Sequence, residues 1–264
     1  MMIGSLPLSG GTLIYKVVGK QDADIIFFCH SLGANQSLWN RQIEQLSASY
    51  RIVSCDLRGH GGSDIFDTPY TIEIMAQDIV ALLDHLNIPS CHFVGLSLGS
   101  MIGLWLGANE PNRMQSMVLA GASAKVKDSS AFSKRISQIE LNGLNSIFTE
   151  LDDRWYAAGY PAKQPSVVNE VRAMIEKTPI KGYIAATIAV RDFDIIEQLP
   201  NIKAKMLLIT GLEDKATPLS DAKYIVERCP NAALTIIKNA SHLAMVEKPE
   251  IFDDALINFI RGIE

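Results

Sequence analysis

Short apolar runs alternate along this chain with longer amphipathic segments, and this alternation constrains the fold more than any other feature. Seven runs are predicted strands, at residues 13–18, 25–29, 51–55, 91–94, 116–120, 206–210 and 233–237. Runs that are apolar at nearly every position are typical of strands buried on both faces. The pattern therefore predicts a mainly parallel sheet covered by helices, which is the α/β class.

Helices are predicted between these strands. An apolar stripe along residues 71–86, an almost wholly apolar stretch at 98–108, and the segments 220–228 and 249–261 all favour helix. Between residues 123 and 196 the strand signal disappears, and residues 129–151, 166–177 and 181–190 look helical. We therefore predict a core built from residues 1–123 and 196–264, with residues 124–195 inserted as a helical cap.

Composition narrows the class of protein. Of the 264 residues 48% are hydrophobic and 20% are charged, which predicts a sizeable buried core. The net charge of −5 argues against a nucleic-acid partner, because a phosphate backbone attracts a basic surface. No apolar run reaches the ~18 residues of a membrane span, and the first residues lack secretory features, so a cytoplasmic location away from membranes is expected.

Cysteines and glycines give no sign of a metal or an organic cofactor. The four cysteines form no C-x-x-C pair, and buried free thiols are expected. The glycine-rich stretch at residues 58–63 matches neither the phosphate-loop pattern nor the dinucleotide pattern. We expect that stretch to form a turn after the strand at 51–55.

The sequence G-L-S-L-G at residues 95–99 is the strongest chemical signal. It stands between an apolar strand and an apolar helix, the context in which G-x-S-x-G carries a nucleophilic serine. Ser97 has to sit on a tight, strained turn so that its hydroxyl stands clear of the sheet, and Gly95 and Gly99 avoid collisions there. The N-terminus of the following helix favours developing negative charge. We predict Ser97 as the nucleophile.

A serine hydroxyl needs a base, and the chain contains five histidines. His242 lies in a loop directly after the last predicted strand, where a reactive side chain reaches the edge of the sheet. His85 falls in a predicted helix and His92 in a strand, so structural roles are expected for both. His60 sits in a glycine turn, and His30 is expected to brace its loop. We predict His242 as the base.

The base in turn needs an orienting carboxylate. Asp214 follows the strand at 206–210 and precedes His242, which gives the chain order Ser, Asp, His. Glu213 is the nearest rival, but a shift of one residue on a turn usually points a side chain elsewhere. The oxyanion of the intermediate needs two N–H donors. We predict the backbone N–H of Leu98 and that of Leu32, in the loop after residues 25–29.

Taken together these motifs resemble the α/β-hydrolase superfamily. The stretches that carry the resemblance are H-S-L-G at 30–33, D-L-R-G-H-G-G-S at 56–63, G-L-S-L-G at 95–99, G-L-E-D at 211–214 and S-H at 241–242. The resemblance implies a mainly parallel eight-stranded sheet flanked by helices, a helical cap and a triad of Ser97, Asp214 and His242. Ser100 departs from the family's usual second glycine, but it is not expected to stop acyl transfer.

Within that superfamily the chain is most similar to the 3-oxoadipate enol-lactonases and related small esterases. The similarity rests on P-Y-T-I-E at 69–73, L-L-D-H-L at 82–86, D-R-W at 153–155 and R-D-F-D at 191–194. Such lactonases hydrolyse a small enol-lactone that carries a free carboxylate, which implies a cation near the pocket. The cap offers Arg135, Arg154, Arg172 and Arg191, of which Arg135 is the one predicted in the pocket. Trp155 is a candidate pocket wall or a residue of cap packing.

The expected activity is hydrolysis of a small-molecule ester or lactone through an acyl-enzyme, without a cofactor or a metal. A broad carboxylesterase or perhydrolase would use the same catalytic residues. A carbon–carbon bond hydrolase is less favoured, because those enzymes usually carry a different oxyanion loop, and a dehalogenase would carry Asp in place of Ser97. The remaining alternative is a binding protein on the same scaffold. A monomer or a homodimer is expected.

Overall fold

A single sheet of eight strands runs through the molecule in the computed structural model, which describes residues 1–263. The strands are β1 (Met2–Leu8), β2 (Gly11–Gly19), β3 (Ile25–Cys29), β4 (Arg51–Cys55), β5 (Cys91–Leu96), β6 (Met114–Ala120), β7 (Lys205–Gly211) and β8 (Ala232–Ile237). Their order in the sheet is β1-β2-β4-β3-β5-β6-β7-β8. β1 and β2 run antiparallel to their neighbours, and every pairing from β4 to β8 is parallel. The predicted mainly parallel α/β sheet is confirmed.

Strand β1 has no counterpart among the seven predicted runs. It pairs with β2 across a tight hairpin, from Met2 opposite Val17 to Leu8 opposite Gly11. Leu6 is the one residue of β1 that is buried, and Gly4, Ser5 and Pro7 interrupt the apolar run from which strands are recognised. It supplies the eighth strand of the sheet that the resemblance implied.

The α-helices are α1 (Asn40–Leu46), α2 (Ile72–His85), α3 (Leu98–Asn109), α4 (Ser129–Asn142), α5 (Phe148–Trp155), α6 (Tyr160–Lys163), α7 (Pro165–Glu176), α8 (Ile180–Arg191), α9 (Leu219–Val226), α10 (Ala244–Glu247) and α11 (Pro249–Arg261). The predicted single helix over residues 129–151 is wrong. Gly143 adopts φ 75°, a left-handed conformation that ends α4 and separates it from α5.

Packing of the helices follows their apolar faces. α2 begins at Thr71, whose hydroxyl accepts the N–H of Ile74 as an N-cap, and it packs against α3. On α1 the side chain of Gln42 donates to Asp253 of α11, at 2.7 Å.

All four cysteines are buried and form no disulfide. No helix within residues 1–263 is long and apolar enough to cross a membrane.

Helices α4 to α8 form one insertion between β6 and β7. Its two ends meet next to the predicted boundaries, since residues 125 and 194 form an antiparallel bridge and the N–H of Ile195 donates to the carbonyl of Ala124. The insertion packs on loops of the sheet: a Cβ on Gly182 would lie 2.2 Å from the carbonyl oxygen of Gly59. That residues 124–195 act as a helical cap over the sheet stays a prediction.

Candidate active site

Ser97 occupies a strained turn between β5 and α3. Its backbone has φ 55° and ψ −109°, a region that residues with a Cβ rarely adopt, and its N–H donates to the carbonyl of Ala120 at 2.9 Å. The flanking glycines are required by space. A Cβ on Gly95 would lie 2.5 Å from the carbonyl of Gly99, and a Cβ on Gly99 would lie 2.4 Å from the carbonyl oxygen of Cys29.

The side chain of Ser100 stabilises the same turn. Its hydroxyl lies 2.9 Å from the carbonyl oxygen of Gly95 and 2.7 Å from that of Ala120. These two carbonyls lie at the carboxyl ends of the neighbouring strands β5 and β6, so the hydroxyl ties the turn to both strands. A glycine at position 100 would leave this donor out of the turn.

Asp214 and His242 form a buried ion-pair geometry at the carboxyl edge of the sheet. Oδ2 of Asp214 lies 2.9 Å from Nδ1 of His242 and accepts the hydroxyl of Thr217 at 2.8 Å. Oδ1 accepts the backbone N–H groups of Ala216 and Thr217, both at 2.8 Å. Four donors therefore hold this carboxylate in one orientation, and it fixes the hydrogen of the imidazole on Nδ1.

These contacts also determine the charge of Asp214. Burial alone raises the pKa of this carboxyl. The charge and hydrogen bond of His242 and the hydrogen bonds from Thr217 lower the pKa by more than burial raises it. The pKa of Asp214 therefore lies below its ordinary value, and the group is ionised at neutral pH. Glu213 is exposed, and its carboxylate faces the N–H of Ala158, at 3.4 Å, instead of the imidazole.

The turn at Ser97 and the imidazole of His242 lie on either side of the end of β6. Ala120 accepts the N–H of Ser97, and at the next residue, Gly121, a Cβ would come within 2.8 Å of Cε1 of His242. Among the contacts of residues 1–263, no hydrogen bond joins the Ser97 hydroxyl to His242. Such contacts often tighten only when a substrate is bound.

The two candidate oxyanion donors lie on segments that touch. Leu98 is the first residue of α3, so its N–H has no acceptor within the helix. The loop after β3 passes over this helix start, where a Cβ on Gly99 would lie 3.0 Å from the carbonyl oxygen of His30. Within the described chain the N–H of Leu32 also has no hydrogen-bond acceptor. Both amides are therefore free to bind an anion.

His30 holds the loop that carries Leu32. Nδ1 of its ring lies 2.8 Å from the carbonyl oxygen of Ser31, and Nε2 accepts the N–H of Leu57 at 2.9 Å. This pattern requires a neutral ring with its hydrogen on Nδ1. Burial lowers the pKa of His30, which keeps the ring neutral. The loop-bracing position expected from the sequence agrees with these contacts.

A cavity of about 370 Å³ lies beside the Asp214–His242 pair. Its walls include Met101, one turn after Ser97, together with Thr217 and Trp155. The indole of Trp155 is buried, and its ring centre lies 6.2 Å from that of His242. Trp155 therefore lines the cavity and is buried at the same time, which is compatible with either of the two roles expected from the sequence.

Two of the four candidate arginines line this cavity. Arg135 is buried and donates to Glu150 at 2.6 Å, while its Nε has no partner among the described residues. Arg154 also borders the cavity and lies 3.4 Å from the same carboxylate. Arg172 pairs with Asp152, and Arg191 pairs with its neighbour in sequence; neither lines this cavity.

Comparison with known proteins assigns the family. A profile described as alpha/beta hydrolase fold matches residues 24–249 of this chain. The chain belongs to the α/β-hydrolase family. The 3-oxoadipate enol-lactonase 2 of Acinetobacter baylyi is 32% identical over 92% of this chain and 91% of its own length. A protein of Variovorax paradoxus with the provisional name carbamate hydrolase is 30% identical over 95% of this chain and 97% of its own.

A solved structure agrees with this assignment. The enol-lactonase from Burkholderia xenovorans superposes with a TM-score of 0.94 and 27% identity, covering 98% of this chain and all of that one. Membership of the family makes the chain an enzyme of the hydrolase class.

The remaining histidines of this hydrolase lie in structural positions. Nε2 of His85 lies 3.2 Å from the hydroxyl of Tyr15, and Nδ1 of His92 lies 2.8 Å from the hydroxyl of Ser116. His60 is buried in the glycine turn, where its Nδ1 lies 3.0 Å from a backbone carbonyl oxygen. These contacts agree with the structural roles expected for His85 and His92, and with the glycine turn expected around His60.

Two residues of the site were missed in the sequence. Thr217 contacts both Asp214 and His242, and its position three residues after an aspartate is a signal for such a turn. Glu247 is a buried carboxylate five residues after His242. Nothing in the sequence of that segment distinguishes it from a solvated acidic residue.

Proposed function

We propose that this hydrolase cleaves a small carboxylic ester or lactone with Ser97 as nucleophile, through an acyl-enzyme. The observation that carries the proposal is the strained turn at Ser97, set beside the ion-pair geometry of Asp214 and His242. Strain of this kind persists where the surrounding structure holds it, and it clusters at reactive side chains. The turn places the side chain of Ser97 at the carboxyl edge of the sheet. Asp214 and His242 lie at the same edge, because they follow the ends of β7 and β8.

In the first half of the reaction, Oγ of Ser97 attacks the carbonyl carbon while Nε2 of His242 takes its proton. Asp214 stabilises the imidazolium that results, because its ionised Oδ2 already holds the Nδ1 hydrogen. The N–H groups of Leu32 and Leu98 bind the oxyanion. Collapse of the intermediate breaks the bond to the leaving oxygen, which receives the proton from His242.

In the second half, a water molecule attacks the acyl carbon and gives its proton to His242. The bond to Oγ of Ser97 then breaks, and the proton returns to that oxygen, which restores the enzyme. When the substrate is a lactone, the leaving oxygen stays tethered to the acyl group, so the product is a single hydroxy or oxo acid. No cofactor enters either half.

The 3-oxoadipate enol-lactone is the substrate we favour within this class. The support comes from relatives that carry this activity in their names and from a cavity that Arg135 and Arg154 border. A guanidinium binds a carboxylate well, so these arginines suit a lactone that carries a free carboxylate. The cavity volume of about 370 Å³ suits a small molecule.

A carbamate is the second candidate substrate, because a relative of comparable identity carries that provisional name. The same serine chemistry serves a carbonyl that is bonded to nitrogen. A broad carboxylesterase remains the third candidate, since only the pocket distinguishes it from a lactonase.

The deciding experiment compares wild type with Ser97→Ala on 3-oxoadipate enol-lactone, p-nitrophenyl acetate and a small carbamate. Lactone turnover that is fastest in the wild type and absent in the variant supports the lactonase. Turnover of the simple ester alone moves the protein to the general esterases. Full turnover by Ser97→Ala contradicts the serine mechanism.

A fluorophosphonate probe tests the proposed serine nucleophile without depending on the choice of substrate. We expect labelling of the wild type and none of Ser97→Ala, because the probe requires an activated serine. An unlabelled wild type would contradict an activated Ser97.

A further inference from the structure

Glu247, in the short helix α10, is a buried carboxylate without a cationic partner among the described residues. Its side chain is hydrogen-bonded instead by two backbone amides: Oε2 accepts the N–H of Ser241 at 2.6 Å, and Oε1 accepts that of Ala157 at 2.8 Å. Burial raises the pKa of Glu247, and the two amides only partly oppose that rise. A buried carboxylate is costly, so this arrangement calls for a reason beyond packing.

The two amides come from the segments that matter most for the site. Ser241 immediately precedes His242, and Ala157 follows Trp155 by two residues in the turn after α5. The same segments are joined twice more, because the N–H of Leu243 donates to the carbonyl of Trp155 at 3.1 Å and the hydroxyl of Ser241 lies 3.2 Å from the carbonyl of Arg154. Glu247 thus joins the loop that carries His242 (residues 238–243, the base loop) to the turn after Trp155, which lines the cavity.

We propose that Glu247 is a positioning residue, whose carboxylate holds the backbone of Ser241, immediately before His242, against the Trp155–Ala157 turn of the insertion. One side chain then sets the imidazole relative both to Asp214 and to the cavity. The insertion contributes to catalysis through this bond as well as by enclosing substrate. The inference rests on the proposed role of His242 as the base.

Glu247→Gln is the sharpest substitution. It keeps the volume of the side chain, but its NH₂ group faces one of the two N–H donors, so one bond is lost. Small displacements of a catalytic group cost up to ~100-fold in rate. We expect kcat on p-nitrophenyl acetate to fall about 10- to 100-fold, with KM changed less than about twofold.

Asp253→Asn is the matched control. Asp253 is also buried, but it accepts its hydrogen bonds from Arg41 and Gln42 of α1 and none from the loop that carries His242. If both carboxylates were merely structural, each substitution would lower the melting temperature and leave kcat per folded molecule unchanged. The proposal requires a loss of kcat in Glu247→Gln only.

A second measurement does not depend on activity. The Nδ1 hydrogen of His242 that bonds Asp214 is expected as a low-field proton resonance, assigned by its loss in His242→Gln. We expect this resonance to shift or broaden in Glu247→Gln and to stay unchanged in Asp253→Asn. Wild-type kcat with an unchanged resonance in Glu247→Gln overturns the proposal. If Ser97→Ala keeps full turnover, the serine mechanism fails, and the resonance alone decides the role of Glu247.

Discussion

Asp214 and His242 are 28 residues apart in the chain, yet Oδ2 of the first lies 2.9 Å from Nδ1 of the second. The carboxyl ends of β7 and β8 bring them together, since each residue follows one of these neighbouring parallel strands. Burial of the pair strengthens their attraction, because little water remains to screen it. Removing the carboxylate of Asp214 is therefore expected to have a large effect on kcat.

Replacing Asp214 by Asn should reduce kcat by about 10³- to 10⁴-fold, because the amide stabilises the wrong hydrogen position on the imidazole. The NH₂ group of Asn would also face either the hydroxyl of Thr217 or its N–H. Steady-state kinetics on p-nitrophenyl acetate measure the effect, with Glu213→Gln as the control that should stay within about twofold. Equal losses in both variants would contradict the assignment of Asp214.

Thr217→Val tests the hydroxyl that lies between the pair. It removes a bond of 2.8 Å to Asp214 while keeping the volume of the side chain. A bond of this kind contributes about 1 kcal/mol, so kcat/KM should fall roughly fivefold. Thr210→Val is the matched control, since the buried hydroxyl of Thr210 has no partner among residues 1–263. That control should be active and at least as stable as the wild type.

Ser100→Ala should lower the free energy of unfolding by about 1 kcal/mol, because two carbonyl oxygens lose the hydroxyl that they share. Ser100→Gly should cost about 1 kcal/mol more, from the flexibility of glycine in a helix. Urea denaturation measures both. We expect ester turnover to stay within a few fold of the wild type in each variant, since Gly99 is unchanged; loss of turnover in Ser100→Ala would show that the hydroxyl also shapes the turn.

Arg135→Gln and Arg154→Gln test the carboxylate of the proposed lactone. The variant that loses the true partner should raise KM for the lactone roughly 10- to 100-fold and leave KM for p-nitrophenyl acetate unchanged. Arg172→Gln and Arg191→Gln are the controls, because neither arginine lines the cavity. Equal effects on both substrates in all four variants would contradict a carboxylate-binding arginine.

Buried His60 predicts a stability that depends on pH. Burial lowers the pKa of His60 from 6.5 to about 3, with the neighbouring His30 contributing in the same direction. Because the folded pKa is the lower one, its contribution is complete above the unfolded pKa of 6.5 and is lost as the pH falls towards the folded value.

His60→Asn measures that contribution. Between about pH 7 and about pH 5 the free energy of unfolding of the wild type should fall by about 2 kcal/mol from this group alone. The variant should lose that part of the pH dependence, whatever its absolute stability. Chemical denaturation at several pH values measures the slope, and an unchanged slope would show that His60 titrates alike in both states.

The α/β class, the tight turn at Ser97 and the places of most helices could be predicted from the sequence, because each depends on local patterns. Apolar runs predicted seven of eight strands, and the glycines around Ser97 predicted its turn. β1 was missed because Gly4, Ser5 and Pro7 interrupt its short apolar run. The break at Gly143 was missed because a glycine within a helical pattern is ambiguous until the backbone is seen.

The tertiary structure alone decided which side chains face each other. It brought Thr217 to the Asp214–His242 pair, placed Arg135 and Arg154 at the cavity instead of Arg172 and Arg191, and joined Glu247 to the base loop. The physical reason is that hydrogen bonds and burial depend on distances between segments remote in sequence. A local sequence pattern predicts the secondary structure and the face on which a side chain lies. Only the packed chain determines which hydrogen-bond partners reach that side chain.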